Sequence, residues 1–485
     1  LTWRDQTILD DLTLFILLGL TLAAAVWAAG HALLHKRDPR SALVWVSIIL
    51  IIPMLGALAY WLLGINRITR RAHRWHASGR KPAFHEFSPH SSTVSAALPA
   101  CFAGLQNLEV LTDRVARTRT HSGNRLAPLV NGEEAYPAML DAIASARHSI
   151  HLCSYIFDGD QIGELFVTAL AGAVKRGVTV RVIVDAMGEH YSAVTARKAL
   201  EGSGVDIRHY LPLYKGPFIN LRDHRKLLLI DGITAFTGGM NIRSNHCVVT
   251  ADPSQAATDL HFQVQGPVVT DLQRIFLDDW HFVSGQRLDD ARFFPVPDCS
   301  CSGTALARAL ADGPDREFRK LEWIVMGALA SAKQRVRIMT PYFIPDRPMV
   351  TALITAALRG VEVTLILPQR NNLPFVAWAS RASYWELIKN GITILEQPAP
   401  FAHTKLFLVD DLWSLIGSAN LDTRSFRLNF ELNLAIFDQE FTSTLNGHFT
   451  SIQSVSHTIT LHEMDARPLP IKLRDSGARL FSPYL

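Results

Sequence analysis

The feature that most restricts what this chain can become is a motif that occurs twice with unchanged internal spacing. His224-Arg225-Lys226-Leu227-Leu228-Leu229-Ile230-Asp231 is followed by Gly238-Gly239-Met240-Asn241, and His403-Thr404-Lys405-Leu406-Phe407-Leu408-Val409-Asp410 by Gly417-Ser418-Ala419-Asn420. Both copies have the form H-x-K-x4-D-x6-G-[GS]-x-N. A lone H-x-K arises often by chance; two copies matched at every marked position indicate a duplicated unit. Each reads as a loop bearing His and Lys, an apolar strand, a turn, and a second strand ending at the glycines.

The duplication extends well beyond the motif. Arg176-Gly177-Val178-Thr179-Val180 is answered by Arg359-Gly360-Val361-Glu362-Val363, and Ser203-Gly204-Val205-Asp206-Ile207 by Asn390-Gly391-Ile392-Thr393-Ile394. Helical spacing over 134–146 and 162–176 alternates with strand patterns over 149–157 and 178–185, the first strand being answered by 335–343. The expected fold class is α/β, with two duplicated lobes, each a central sheet flanked by helices, at 124–284 and 317–460. Residues 76–123 read as a connecting segment with one helix, 285–316 as a Pro/Gly-rich connector, and 461–485 as a tail.

With 48% hydrophobic and only 19% charged residues, the chain is apolar enough to point to embedded segments. Leu12 to Leu34 and Ser41 to Gly64 are uncharged runs, each long enough to cross a hydrocarbon core of roughly 30 Å. The short 35–40 linker makes them a two-helix transmembrane hairpin within residues 1–75, with Asp38 capping the second helix, Pro39 at its first position, and Pro53 and Gly56 as kink points. Trp45, Tyr60 and Trp61 suit its interfacial ends. Arg67, Arg70, Arg71, Arg74, Arg80 and Lys81 follow the second run, against Lys36, Arg37 and Arg40 in the loop, so the positive-inside rule places the lobes in the cytoplasm. The net charge of +4 sets up no global field for nucleic acid, and no interleaved basic–aromatic face is visible. The five cysteines show no disulfide framework, and Cys299-Ser300-Cys301 is too close to serve as a metal half-site; a reducing compartment fits.

The paired motifs resemble those of the phospholipase D superfamily, in which two such segments meet at one phosphodiester-cleaving site. His and Lys two apart at a strand start point to the same side, so convergence brings two imidazoles and two ammonium groups to one pocket. One neutral imidazole attacks phosphorus, and the other, protonated, serves the leaving alkoxide and then the incoming hydroxyl. Lys226 and Lys405, with the Asn241 and Asn420 amides, neutralise nonbridging oxygens, so no metal or cofactor is required. Family precedent favours His224 as the nucleophile and His403 as the acid/base.

The resemblance further implies that Asp259 and Glu431 orient the histidines. A carboxylate beside the second histidine is expected to hold it protonated. Asp231 and Asp410 are expected in structural salt bridges more than in chemistry. Gly239 stands where the family commonly has Ser, as Ser418 does in the second copy, so one hydroxyl contact is missing from the first. Arg424 and Arg427 are candidates for gripping the substrate phosphate, or surface ion pairs.

Several stretches narrow the resemblance to bacterial cardiolipin synthases: 40–45 and 53–58 in the hairpin, Thr340-Pro341-Tyr342-Phe343-Ile344-Pro345, Ala377-Trp378-Ala379-Ser380-Arg381, Asn420-Leu421-Asp422-Thr423-Arg424-Ser425, and the closing Phe481-Ser482-Pro483-Tyr484-Leu485. It covers essentially the full length. The implied reaction joins two phosphatidylglycerol molecules into cardiolipin with glycerol as product, at the bacterial inner membrane. Rival readings are a membrane-bound phospholipase D-type hydrolase, a phosphatidylserine synthase, and a non-catalytic lipid-binding protein. The tail, with Arg467, Lys472, Arg474 and Arg479 among apolar residues, reads either as an amphipathic segment on anionic headgroups or as a packed helix. The number of copies in the assembly, a homo-oligomer included, is left open.

Overall fold

The structure, a computed structural model, describes residues 3–36, 38–65, 98–116, 118–192, 194–210, 221–295, 303–313 and 319–482. Arg37, Arg67, Arg70, Arg71, Arg74, Arg80, Lys81, Cys299, Cys301 and the closing 483–485, all used above, lie outside the described residues. The chain divides into two compact units, Leu1–Gly79 and Arg80–Leu485.

In the first unit, α1 (Trp3–His35) is one long helix whose stretch Leu12–His35 is apolar enough to cross a membrane. The second apolar run is not one helix. It divides into α2 (Pro39–Ile51), α3 (Pro53–Ala59) and a π-helical turn over Tyr60–Gly64. Pro53 lacks the N–H that would continue the ladder, and Ile52 leaves helical geometry at φ −132°. The expected kink is thus a break, and among the described residues a single helix meets the length and hydropathy required for crossing. The Asp38 cap forms as expected, its carboxylate accepting from the Arg40 and Ser41 N–H groups at 3.2 and 3.1 Å. Tyr60 turns inward: it is buried, with its hydroxyl 2.7 Å from His31 Nδ1, in an apolar seam of Ala28, Ala32, Ile49 and Ala57.

In the second unit the two halves repeat one sheet order. The first half contributes β1 (His121–Val130), β2 (Ser149–Ser154), β3 (Thr179–Asp185), β4 (Asp206–Tyr210), β5 (Leu227–Ile230), β6 (Thr234–Gly238) and β7 (Leu260–Gln265). The second contributes β8 (Ala305–Asp312), β9 (Arg335–Met339), β10 (Glu362–Pro368), β11 (Thr393–Gln397), β12 (Leu406–Val409), β13 (Trp413–Gly417) and β14 (Asn429–Phe437). In each, three parallel strands (β2-β3-β4, β9-β10-β11) are continued by antiparallel ones (β5-β6-β7, β12-β13-β14). Matched glycines take matched conformations, φ being +88° at both Gly177 and Gly360, a helix-ending position that a side chain would strain.

The halves are not separate sheets. β1 pairs with β7, β8 with β14, and β1 with β8, so one continuous sheet runs through both lobes. Residues 305–312, expected in the connector, are therefore a central strand. The helix of the connecting segment, Gln106–Val115, packs on Lys320–Ser331 of lobe 2, and its Glu109 pairs with the buried Arg308 of β8 at 2.7 Å. Two apolar cores lie on the lobes, one around Phe166, Leu170 and Phe236 and the other around Ile324, Leu353 and Trp413. The tail forms the helix Leu469–Arg479, packed on Pro374–Arg381.

Candidate active site

The two motif strands begin where β5 and β12 leave their loops, and alternation turns residues i and i+2 to one side. Arg225 therefore points away from its neighbours and is buried in an ion pair with Asp279, its guanidinium 5.4 Å from the Phe430 ring. His224 and Lys226, and likewise His403 and Lys405, face the cleft between the lobes. The backbone closes that cleft from both sides: His224 N–H donates to Phe430 O at 2.9 Å and His403 N–H to Thr258 O at 2.8 Å.

Each histidine takes its carboxylate from the opposite lobe. His224 Nδ1 lies 3.0 Å from Glu431 Oε2 and 3.2 Å from the Ser418 carbonyl. His403 Nδ1 lies 2.7 Å from Asp259 Oδ2. An Nδ1–H donated to a carboxylate fixes the tautomer and leaves Nε2 for the pocket. Lys226 Nζ donates to the His224 carbonyl at 2.6 Å; Lys405 Nζ donates to the His403 carbonyl and sits 3.0 Å from His403 Nδ1. The charges of Lys226, Lys405 and His224 all act on His403, so the four groups share one electrostatic enclosure.

Burial in that enclosure weakens every cation. It lowers His224 against the opposing pull of Glu431, and lowers His403 well below the ordinary imidazole value, aided by Lys405, Lys226 and His224. Lys226 falls to about 7 and Lys405 to about 8 for the same reason. Burial raises Asp259, whereas in Glu431 the neighbouring His224 and Lys226 overcome it and keep the carboxyl ionised. The expectation that a carboxylate alone would hold the second histidine protonated is therefore corrected. Desolvation, with the two ammonium groups, outweighs Asp259.

The motif aspartates do not form salt bridges with the lysines. Asp231 accepts hydrogen bonds from the N–H groups of Arg147, His148 and Ser149 at 2.7–2.8 Å, and Asp410 from those of Lys333, Gln334 and Arg335 at 2.7–2.9 Å. Both occupy left-handed backbone, φ +53° and +52°, at the turn after the motif strand. They pin the start of β2 and β9 to that turn. A strand-end carboxylate reaches the nearest row of unmet donors more readily than a lysine facing the opposite end.

The supporting residues divide by role. Asn241 Oδ1 accepts from the Ile156 N–H at 3.2 Å, and Asn420 is buried beside Lys405 and Gly417. Ser418 Oγ donates to Glu431 Oε2 at 2.5 Å, whereas a Cβ on Gly239 would stand 2.5 Å from both Asp259 carboxylate oxygens. The lobes are thus asymmetric where the sequence differs. Arg424 is lowered by burial and by the nearby charge of Arg222, with Tyr155 and Tyr191 also in range, which puts it on the His224 side. Arg427 instead pairs with Asp346 at 3.4 Å.

Aromatic neighbours escape a motif reading. Tyr155 stacks edge-on to His224 at 5.2 Å and lies under Lys226 Nζ at 5.3 Å; Phe401 flanks His403 at 5.8 Å. Their signal is an aromatic just beyond β2, next to the motif strand, and another two residues before the second motif histidine. His246, Asp259 and His403 bring three ligand-type atoms within 4.8 Å of one another. The Lys405 ammonium stands beside them, so the trio suits proton handling better than a cation.

Two His–Lys pairs with crossed carboxylates, on duplicated α/β lobes, define a phospholipase D-type site. Comparison with known proteins gives the family. The model described as "Cardiolipin synthase, PLD-like domain" matches residues 139–280 and 325–453, and that described as "Phospholipase_D-nuclease N-terminal" matches 23–64. A cardiolipin synthase of Geobacillus thermodenitrificans is 32% identical over 93% of this chain and 90% of its own length; the major cardiolipin synthase of Bacillus subtilis is 30% identical over 98% of both. The phosphatidylserine synthase of Haemophilus influenzae shares the fold at 14% identity, with a TM-score of 0.61 over 78% of this chain and all of that one. The chain belongs to the cardiolipin synthase family of the phospholipase D superfamily.

Proposed function

We propose that this protein is a cardiolipin synthase, a phosphatidyltransferase that joins two phosphatidylglycerol molecules into cardiolipin and releases glycerol. The observation that carries the chemistry is the crossed pair: each imidazole is held at Nδ1 by a carboxylate of the other lobe, with an ammonium group beside it.

His224 Nε2 attacks phosphorus, the P–N bond forms, and the P–O bond to glycerol breaks. His403 gives its proton to the departing alkoxide. The terminal hydroxyl of the second phosphatidylglycerol then attacks phosphorus, returns a proton to His403, and breaks the P–N bond. The phosphate anion entering between the lysines offsets the charge that keeps His403 neutral, so the acid forms when substrate arrives. His224 is the better nucleophile because Glu431 stays ionised while Asp259 is pushed towards the protonated form. Lys226, Lys405, Asn241 and Asn420 hold the nonbridging oxygens. Arg424 grips the lipid phosphate, and Arg427, in its ion pair with Asp346, holds the short helix Thr423–Arg427 that carries both. Asp231 and Asp410 keep the motif turns in place.

The first unit anchors the enzyme in the bacterial inner membrane as a two-helix hairpin with a broken second arm, and the lobes lie in the cytoplasm. Domain limits are 1–75, 76–120, 121–284, a connector over 285–304, 305–460 and 461–485, with both lobes feeding one site.

Reconstitution in vesicles of labelled phosphatidylglycerol, followed by mass spectrometry, tests the reading: cardiolipin and glycerol are expected in equal amounts. Phosphatidic acid alone indicates a hydrolase, phosphatidylserine on adding serine and a cytidine-linked donor indicates the serine enzyme, and no product at all indicates a lipid-binding protein.

A further inference from the structure

The C-terminal helix Leu469–Arg479 buries only Asp475 and Ala478, on the side facing Pro374–Arg381. The opposite side carries Leu469, Leu473 and, just past the helix end, Leu480. Four- and seven-residue steps align these leucines on one stripe. They are 67%, 63% and 79% exposed. A soluble surface rarely leaves such a stripe in water. It is also not isolated. Phe481 meets Phe375 at 5.6 Å, Phe375 meets Trp378 at 6.2 Å, and Arg474 lies over the Trp378 ring at 4.5 Å. Lys472 and Arg479 flank the leucines, and Arg370 is exposed just before the Pro374–Arg381 helix.

The patch is also connected to the chemistry. His403 is followed by Phe401 at 5.8 Å, Phe401 by Tyr342 at 6.3 Å, and the Tyr342 hydroxyl donates to Asn372 Oδ1 at 2.8 Å, in the turn that leads to Phe375. Aromatic side chains thus lead from the second catalytic histidine to Tyr342, and Asn372 ties Tyr342 to the turn before Phe375, at the edge of the exposed apolar face.

We propose that this face, built from the Pro374–Arg381 and Leu469–Arg479 helices, docks on an anionic phospholipid surface and admits lipid to the catalytic cleft along the Tyr342–Phe401 side. The occupant is assigned by chemistry: leucine and phenylalanine side chains match acyl chains, and the flanking cations match lipid phosphates. This rests on the lipid-transfer reading and adds the surface by which lobe 2 meets its substrate.

The full-length protein in nanodiscs provides the test. In Leu473→Trp, the emission added over wild type is quenched in discs of chain-brominated phosphatidylglycerol and retained in unbrominated ones. The triple variant Leu469→Ser/Leu473→Ser/Leu480→Ser lowers the ratio of the rate on phosphatidylglycerol vesicles to that on a short-chain, monomeric phosphatidylglycerol by about tenfold. Equal emission in the two discs overturns the proposal, as does shielding of the introduced indole that follows protein concentration and not bromine, the mark of a second copy. The quenching needs no catalysis, so a protein that makes no cardiolipin yet shows it would sink the transfer reading and leave the docking surface standing.

Discussion

Glu431 holds His224 from across the lobe boundary, Oε2 to Nδ1 at 3.0 Å, while Asp259 holds His403 in the reverse direction at 2.7 Å. Among the described residues, neither motif histidine pairs with a carboxylate of its own lobe. The site exists only when the lobes are assembled, and the continuous sheet through β1 and β8 keeps them so.

Removing either carboxylate should therefore disable the chemistry without emptying the pocket of lipid. Glu431→Gln and Asp259→Asn keep the shape but lose the charge that orients and supports the imidazole. Each is expected to lower kcat by about a hundredfold, with KM changed far less. Steady-state kinetics on mixed micelles would measure this, and a loss confined to KM would contradict the crossed arrangement.

The two histidines should separate in a trapping experiment. His224→Ala is expected to abolish the phosphoenzyme, and His403→Ala to accumulate it slowly while losing cardiolipin formation. Acid-quenched labelling with radioactive phosphatidylglycerol reads the difference, and the opposite pattern would exchange the roles.

The pH dependence follows from burial. As the proposed nucleophile, His224 must be neutral to attack, and its lowered pKa keeps it neutral down through pH 6.5, so the acidic limb of kcat/KM should lie below that value. Lys226 must be charged to receive a phosphate, and its free-enzyme pKa of about 7 places the alkaline fall close to neutrality, with Lys405, at about 8, following. Lys226→Arg, always protonated, should move the fall to higher pH if activity survives.

Asp231→Ala and Asp410→Ala should act on stability. Each strips a carboxylate from three backbone N–H groups and puts a Cβ without a polar side chain in left-handed backbone, a cost of about 2–4 kcal/mol. Thermal unfolding should show the loss, and the folded fraction should keep its pH profile.

Gly239→Ser should not create a second copy of the Ser418–Glu431 contact. The new Cβ would press on both Asp259 oxygens at 2.5 Å and displace the carboxylate from His403. Lower kcat with retained phosphoenzyme is the expected result.

Much of this was legible in the sequence because it is local. Strand period, the glycines that end helices and strands, the Asp38–Pro39 cap, and the placing of His and Lys on one side depend on neighbours a few residues away. Both motif strands accordingly fall where the apolar runs place them, at Leu227–Ile230 and Leu406–Val409. The break at Pro53 was half legible: a missing N–H is certain from sequence, but whether the helix bends or stops depends on what packs around it.

Packing alone settles which groups meet across long separations. His224 and Glu431 are 207 positions apart, and His403 and Asp259 are 144 apart. Spacing within one copy cannot say whether a carboxylate serves its own lobe or the other. The same holds for β8, which became a central strand because β1 and β14 offered it two edges, and for Asp231 and Asp410, whose partners are set by chain reversal. Local pattern suffices for the duplicated halves and for the groups each one presents. Assembly decided which acid serves which imidazole, because burial and proximity are properties of the packed chain and not of any segment.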